Sequence, residues 1–199
     1  MQLKADSLQC ERGGRTVFTG VSFALKAGEL LQLTGANGSG KTSLLRLVAG
    51  LGEPASGELK LNGGHAELTI GQQAHLIAHQ EALKTALTVV ENLSFWAAFL
   101  GGGPIDRALA AFNLERLALY PAGLLSAGQK RRLALARLLV VPRVLWLLDE
   151  PMAGLDKASQ GRLSDAMTEQ LAKGGMIIAA THVPLGVEAQ AHLDLGRSP

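Results

Sequence analysis

Residues 35–42 read GANGSGKT, and no other stretch restricts the possible folds of this chain so tightly. The octapeptide fits G-x-x-x-x-G-K-[ST] in full, with the apolar run ELLQLT (29–34) before it and a helical pattern (41–51, closed by Gly50 and Gly52) after it. A buried strand must therefore end in a glycine-rich loop that opens directly into a helix. In such a loop the backbone N–H groups of Gly35, Ala36, Asn37, Gly38, Ser39 and Gly40 turn inward, and the helix start at Lys41, Thr42 and Ser43 adds its partial positive charge. The pattern predicts a phosphate cradle in which Lys41 neutralises the β- and γ-phosphates and the Thr42 hydroxyl ligates Mg²⁺. The predicted ligands are ATP and Mg²⁺.

A second motif completes that chemistry. Residues 144–150, VLWLLDE, form an apolar strand that ends in two carboxylates. A fully buried strand delivers Asp149 rigidly to the sheet edge, where it can hold Mg²⁺ through water. Glu150 then stands where a general base can polarise attacking water. Further strands are expected at 3–9, 21–25, 58–62, 75–78 and 176–180, and helices at 127–140, 157–173 and 184–189. Between about 85 and 125 the pattern is helical: Val89, Leu93, Trp96 and Leu100 recur at helical spacing behind Thr88 as a cap, and Pro104 opens another helix after Gly101-Gly102-Gly103. Strands alternating with helices predict an α/β fold with a mainly parallel sheet covered on both faces, interrupted by a helical insertion. Ligands bind at the strand ends of such sheets.

Composition sets outer bounds. A length of 199 residues suits one substantial domain, and 18% charged residues is low against about 25% for an average protein. The formal net charge of +2 does not suggest a nucleic-acid partner. Cys10 is the only cysteine, so no internal disulfide can form. No apolar run reaches the ~18 residues of a membrane span. The chain is expected to be soluble and cytoplasmic, reaching a membrane only through a partner.

Other candidates extend the site. LSAGQ (125–129) starts a helix with Ser126 as cap, and Ser126, Gly128 and Gln129 with the free N–H groups there make a second anion site. One chain has no use for two γ-phosphate sites, so this one is read as acting on a second copy. The basic run Lys130-Arg131-Arg132 behind it reads as a solvated face. His182, after the buried strand 176–180, can hydrogen-bond a γ-phosphate and hold water; His65, His75, His79 and His192 compete for that role. Gln80 ends the strand at 75–78 and can reach Mg²⁺ or the water. Asp156 either caps the helix that starts at Lys157 or crosses a dimer interface, and both can hold.

GANGSGKT, Gln80, LSAGQ, LLDEP, AGLD (153–156) and the Thr181-His182 pair, in this order, resemble the ATP-binding subunits of ABC transporters along nearly the whole chain. The stretches LQCERGGRTVF, AGELLQLTGANGSGKTSLLRLVAGL and LSAGQKRRLALARL are most similar to the branch that serves cytochrome c maturation, the haem exporters. The resemblance implies a P-loop NTPase of ABC-cassette type, with an N-terminal antiparallel β part. It implies a single domain over 1–199, with a nucleotide-binding core at about 1–84 and 126–199 and a helical subdomain at about 85–125. It further implies ATP hydrolysis in a two-copy ATP sandwich, an integral-membrane permease of the cytochrome c maturation system as partner, and a peripheral place on the cytoplasmic face of the bacterial inner membrane. Such subunits often stack adenine on an aromatic residue; the spacing puts Arg12 there, which can stack by cation–π contact. Glu81-Ala82-Leu83 replaces the more usual Pro-Gly-Ile after the glutamine. The alternatives are an ABC transporter for another substrate, or a soluble ABC ATPase of translation or DNA repair. The latter usually carries two cassettes or a long coiled-coil insertion, which this chain lacks. A P-loop kinase or RecA-like protein would lack LSAGQ.

Overall fold

In the computed structural model, which describes residues 1–196, the two most apolar strands become the centre of the molecule. These are β6 (Leu145–Asp149) and β7 (Met176–Ala180), and every residue of both is buried. They pair in parallel with each other, β6 with β5 (Ala74–Ile77), and β7 with β3 (Leu30–Thr34), which in turn pairs with β8 (Ala191–Asp194). The result is a five-stranded parallel sheet in the order β5-β6-β7-β3-β8. Strand alternation divides the core into two layers. Trp146, Leu148, Ile177 and Ala179 face the helical side, whereas Leu145, Leu147, Met176, Ile178 and Ala180 face the N-terminal part of the chain.

That N-terminal part is a second, antiparallel sheet, in which β1 (Gln2–Arg12) lies between β2 (Arg15–Lys26) and β4 (Ser56–Asn62). Its Leu3, Leu8 and Leu25 pack with Leu44, Leu45 and Val48 of α1 (Lys41–Val48). On the other face, α2 (Val89–Leu100) begins in a capping box: Thr88 Oγ1 accepts from the Glu91 N–H at 3.2 Å, and the Thr88 N–H donates to Glu91 Oε2 at 2.7 Å. It ends at Gly101 with φ 114°. Together with α3 (Asp106–Ala111) it buries Val89, Leu93, Ala108 and Phe112 in the same apolar layer as Trp146 and Leu148 of the sheet. Helix α4 (Ala127–Ala136) and α5 (Lys157–Ala172) complete that layer.

Several local expectations require correction. The helix expected at 127–140 is α up to Ala136 and then tightens into a 3-10 turn over Arg137–Leu139. The helix expected from Pro104 starts only at Asp106. Part of the segment 113–125 is 3-10 rather than α, with turns at Glu115–Leu117 and Ala122–Leu124. No helix forms at 184–189, where Gly186 has φ 72° and Leu185 is tethered by its carbonyl to the Ser164 hydroxyl at 2.6 Å. The chain is instead aimed at Leu30, whose carbonyl accepts from the Gln190 N–H at 3.1 Å, and it continues as β8, a strand that the sequence pattern did not indicate.

Candidate functional site

The loop 35–40 and the start of α1 form one wall of a cleft of about 400 Å³ at the carboxyl ends of β3 and β6. Backbone geometry explains the glycines. Gly40, the residue before the helix, has φ 102°, and a Cβ there would stand 2.7 Å from Val17 Cγ1 and 2.9 Å from Phe18 Cδ1. At Gly35 a Cβ would lie 2.7 Å from Ser39 Oγ. No side chain caps α1 and its first turn carries no acidic residue, so its N–H groups are left for an anion.

Lys41 is largely buried, and its Nζ donates to Gly35 O at 2.6 Å and Ala36 O at 3.0 Å, so the loop wraps around the ammonium. Ser39 Oγ is buried and lacks a hydrogen-bond partner, an orphan hydroxyl inside the loop that a phosphate oxygen would satisfy. Opposite, the Thr42 hydroxyl donates to Asp149 Oδ2 at 2.7 Å, joining loop and carboxylate strand 107 residues apart in sequence. Gly38, Gly40, Lys41, Thr42, Ser43, Asp149 and Glu150 all line the cleft, with Asn37 and Val17. Glu150 adopts the left-handed conformation with φ 44°, while its N–H donates to Ala180 O at 2.8 Å. Such strain in a non-glycine residue collects at functional sites.

One hydroxyl and one carboxylate suit a magnesium ion, which takes few protein ligands and completes its shell with phosphate and water. Among the described residues there is no cluster of three or more His, Cys, Asp or Glu side chains that would form a separate all-protein metal cage. Thr42, Asp149 and the orphan Ser39 hydroxyl therefore fit a magnesium-bound nucleotide.

The other sequence candidates lie elsewhere. His182 is exposed beyond β7 and does not line the cleft, whereas His79, one of its competitors, does. Gln80 is exposed next to His79. His75 is buried, with its Nε2 2.7 Å from Val141 O, and burial pushes its pKa down to about 4, so it stands neutral in the core. Arg12 sits at the β1–β2 turn and lines a neighbouring hollow of about 440 Å³ that shares Ser43 with the cleft. LSAGQ is outside the cleft. Ser126 is exposed and caps α4 in a capping box, its Oγ accepting from the Gln129 N–H at 3.3 Å and its N–H donating to Gln129 Oε1 at 2.8 Å. Asp156 caps α5, accepting from the Ser159 N–H at 2.8 Å, and those bonds from Ser159 hold its carboxyl below the usual range. The AGLD turn adjoins LSAGQ: a Cβ at Gly128 would lie 3.3 Å from Gly154 O.

The basic run is where sequence reasoning failed. Arg131 does not belong to a solvated face; it is 5% exposed and points at the carboxyl ends of β5 and β6. Its Nη1 donates to Ala78 O at 3.1 Å, and its Nη2 to Asp149 O at 3.1 Å and Glu150 O at 2.7 Å. Arg132 is also engaged, its Nη1 donating to Phe112 O and Asn113 O at 3.2 Å each. Desolvation draws the Arg131 guanidinium below the ordinary arginine range, opposed by the charges of Glu81, Asp149 and Glu150.

Comparison with known proteins places this geometry. Residues 18–153 match the family model described as ABC transporter. A relative from Nitrobacter winogradskyi, named "Cytochrome c biogenesis ATP-binding export protein CcmA", is 54% identical over 192 residues, which cover 96% of each chain. One of the same name from Bradyrhizobium diazoefficiens is also 54% identical over 192 residues, again 96% of each chain. Among solved structures, a putative ABC transporter ATP-binding protein from Pyrococcus furiosus superposes with a TM-score of 0.83 at 23% identity, covering 98% of both chains, and so shares the fold.

Proposed function

The chain belongs to the ABC transporter family, as its ATP-binding and ATP-hydrolysing subunit, and from that premise we propose that the transporter it energises serves c-type cytochrome biogenesis, handling or exporting haem. The relatives that carry this role in their names match it along nearly their whole length, which supports the transfer. We read residues 1–84 and 126–199 as nucleotide-binding core and 85–125 as a helical subdomain.

The cleft supports the following division of labour. The loop N–H groups, Lys41 and Ser39 hold the phosphate chain of ATP; Thr42 and Asp149 would hold the magnesium ion, with Gln80 reaching it from outside the cleft lining, and the ion would neutralise phosphate charge when bound. Glu150 orients and polarises the attacking water, and His182, which lies beyond the cleft lining, is read as sensing the γ-phosphate from the next strand end. Ser126, Gly128 and Gln129 stand outside their own chain's cleft, and Ser126 is exposed. They serve the nucleotide of a second copy, with Asp156 beside them at the interface, so that two chains enclose two ATP.

Among the described residues no helix is long and apolar enough to cross a membrane, so an integral-membrane permease provides the passage and holds this subunit peripherally at the cytoplasmic face of the inner membrane. The loop 81–87 is a suitable contact. Asn92, itself buried, fixes its shape by bonding Lys84 N at 2.9 Å, Lys84 O at 3.0 Å and Leu87 O at 3.2 Å, while Ala82, Thr85 and Ala86 remain exposed and Lys84 Nζ lies 4.7 Å from the centre of the exposed Phe95 ring, which stacks on Phe99.

The observation that carries this reading is the cleft in which Asp149 and Glu150 face the phosphate loop and Thr42, with LSAGQ outside it. Glu150→Gln tests it. In a strain lacking the wild-type gene, this variant should fail to restore c-type cytochromes, and the purified chain should form a dimer when ATP is added. Full restoration of cytochromes by the variant, or a monomer in gel filtration with ATP, contradicts it.

A further inference from the structure

Two peptide units flank Glu150 and set the direction of its Cα–Cβ bond, the base from which its carboxylate reaches the cleft. The unit before it is held on both sides: its N–H donates to Ala180 O at 2.8 Å and its carbonyl, Asp149 O, accepts from Arg131 at 3.1 Å. The unit after it leads into Pro151, which has no N–H, so only the Glu150 carbonyl can anchor it. That carbonyl accepts from Ala153 N at 3.1 Å and, more closely, from Arg131 Nη2 at 2.7 Å. Between these units Glu150 is held at φ 44°, a conformation that a residue with a Cβ abandons unless its surroundings impose it.

Arg131 does more than hold one turn. Its other nitrogen, Nη1, donates to Ala78 O, the residue before His79 in the cleft wall. Arg137, farther along the same segment, bonds Leu76 O at 3.2 Å and Glu81 O at 3.4 Å, so the stretch 76–81 is gripped on both sides. Arg131 lies in the second turn of α4, the helix whose first residues follow Ser126. Among the described residues Arg131 is in no ion pair, and its bonds go to backbone carbonyls alone. Its planar fork is suited to this, because two nitrogens reach three carbonyls on two strands without rotating.

We propose that Arg131 is a positioning residue for ATP hydrolysis, a rigid strut that ties helix α4 to the backbone of Glu150 and to the His79 edge of the cleft. The inference rests on the role assigned to Glu150 above. A displacement of α4, at whose start LSAGQ meets the neighbouring nucleotide, would then move the carboxylate of its own site.

Arg131→Met and Arg131→Lys test the strut, with turnover measured on membranes carrying the assembled transporter and ATP binding on the purified chain. Arg131→Met should lower kcat by about 100-fold, the cost of misplacing a reacting group by about 1 Å, while KM and ATP affinity change less than about threefold because Lys41 and Thr42 are untouched. Arg131→Lys, whose single ammonium cannot span carbonyls on both strands, should lose about tenfold in kcat. Combined with Glu150→Gln, Arg131→Met should add nothing to the residual loss, since both act through one carboxylate; a merely structural role would multiply the two effects. Multiplying effects, or turnover of Arg131→Met near wild type beside an inactive Glu150→Gln, overturn the strut alone. Should Arg131→Met not fold, wild-type kcat in Arg131→Lys overturns it equally. Wild-type turnover in Glu150→Gln overturns the role of Glu150 and this inference with it.

Discussion

Replacing Thr42 by Val removes one hydroxyl and keeps the shape of the side chain, and the structure gives the expected size of the effect. The Thr42 hydroxyl donates to Asp149 Oδ2 at 2.7 Å, and Asp149 is 5% exposed, so water does not readily replace the lost donor. A hydrogen bond to a charged acceptor contributes about 1.5–3 kcal/mol. For a chain of this length each 1 kcal/mol shifts Tm by about 2–4 °C, so Thr42→Val should melt about 3–12 °C below wild type without nucleotide. Asp149→Asn separates stability from chemistry: its carboxamide oxygen still accepts from Thr42, so its Tm should fall less, yet it lacks the negative charge that a magnesium ion needs. Scanning calorimetry without nucleotide and magnesium titrations of ATP turnover read the two effects independently. Both variants should need at least about tenfold more magnesium for half-maximal turnover, as expected when a metal site loses a ligand or its orienting partner. Thr42→Val with a wild-type Tm would show that the 2.7 Å contact contributes nothing to stability. Unaltered magnesium dependence in both variants would refute the assignment of Thr42 and Asp149 as metal-holding residues.

Three further perturbations probe separate parts of the molecule. Lys41→Ala removes the cation around which the loop carbonyls of Gly35 and Ala36 fold; ATP affinity should drop by about tenfold or more, measured by titration calorimetry, and unchanged affinity would remove Lys41 from the phosphate site. Ser126→Arg should leave ATP binding by the monomer nearly intact while abolishing hydrolysis, with about 1 kcal/mol of stability lost along with the helix cap. Mixed with Lys41→Ala it should restore at most one composite site of the two, and loss of monomer binding would exclude action on a neighbouring chain. Ala86→Glu, at an exposed position of the loop 81–87, should release the protein from membranes without altering ATP binding, and wild-type retention in the membrane fraction would exclude that loop as the permease contact.

What the sequence alone made legible was local. A strand leading into GANGSGKT, an apolar strand ending in Asp149-Glu150, and caps at Thr88, Ser126 and Asp156 all depend on residues within a few positions of one another, where chain stereochemistry dictates the outcome. The parallel sheet followed from the same patterns, because strands buried on both faces read as continuous apolar runs. Strand β8 escaped notice because its four residues include exposed His192 and Asp194; it exists by pairing with β3, which lies 160 residues earlier in the pair Leu31–Ala191. The helix read at 184–189 failed for a related reason: a tether from Ser164 and the need to reach Leu30 outweigh short-range helical pattern.

The tertiary structure alone decided which polar residues face the cleft. His79 follows the half-buried β5 and His182 the fully buried β7, and it is the pairing of β5 with β6 that puts His79 on the cleft wall. Arg131 is the clearest case. A run of three basic residues on a helix looks solvated because charge is costly to bury, and local sequence carries no record of carbonyls contributed by other segments. Ala78 approaches Asp149 and Glu150 only when β5 and β6 pair, and the three carbonyl oxygens then meet the guanidinium that α4 carries.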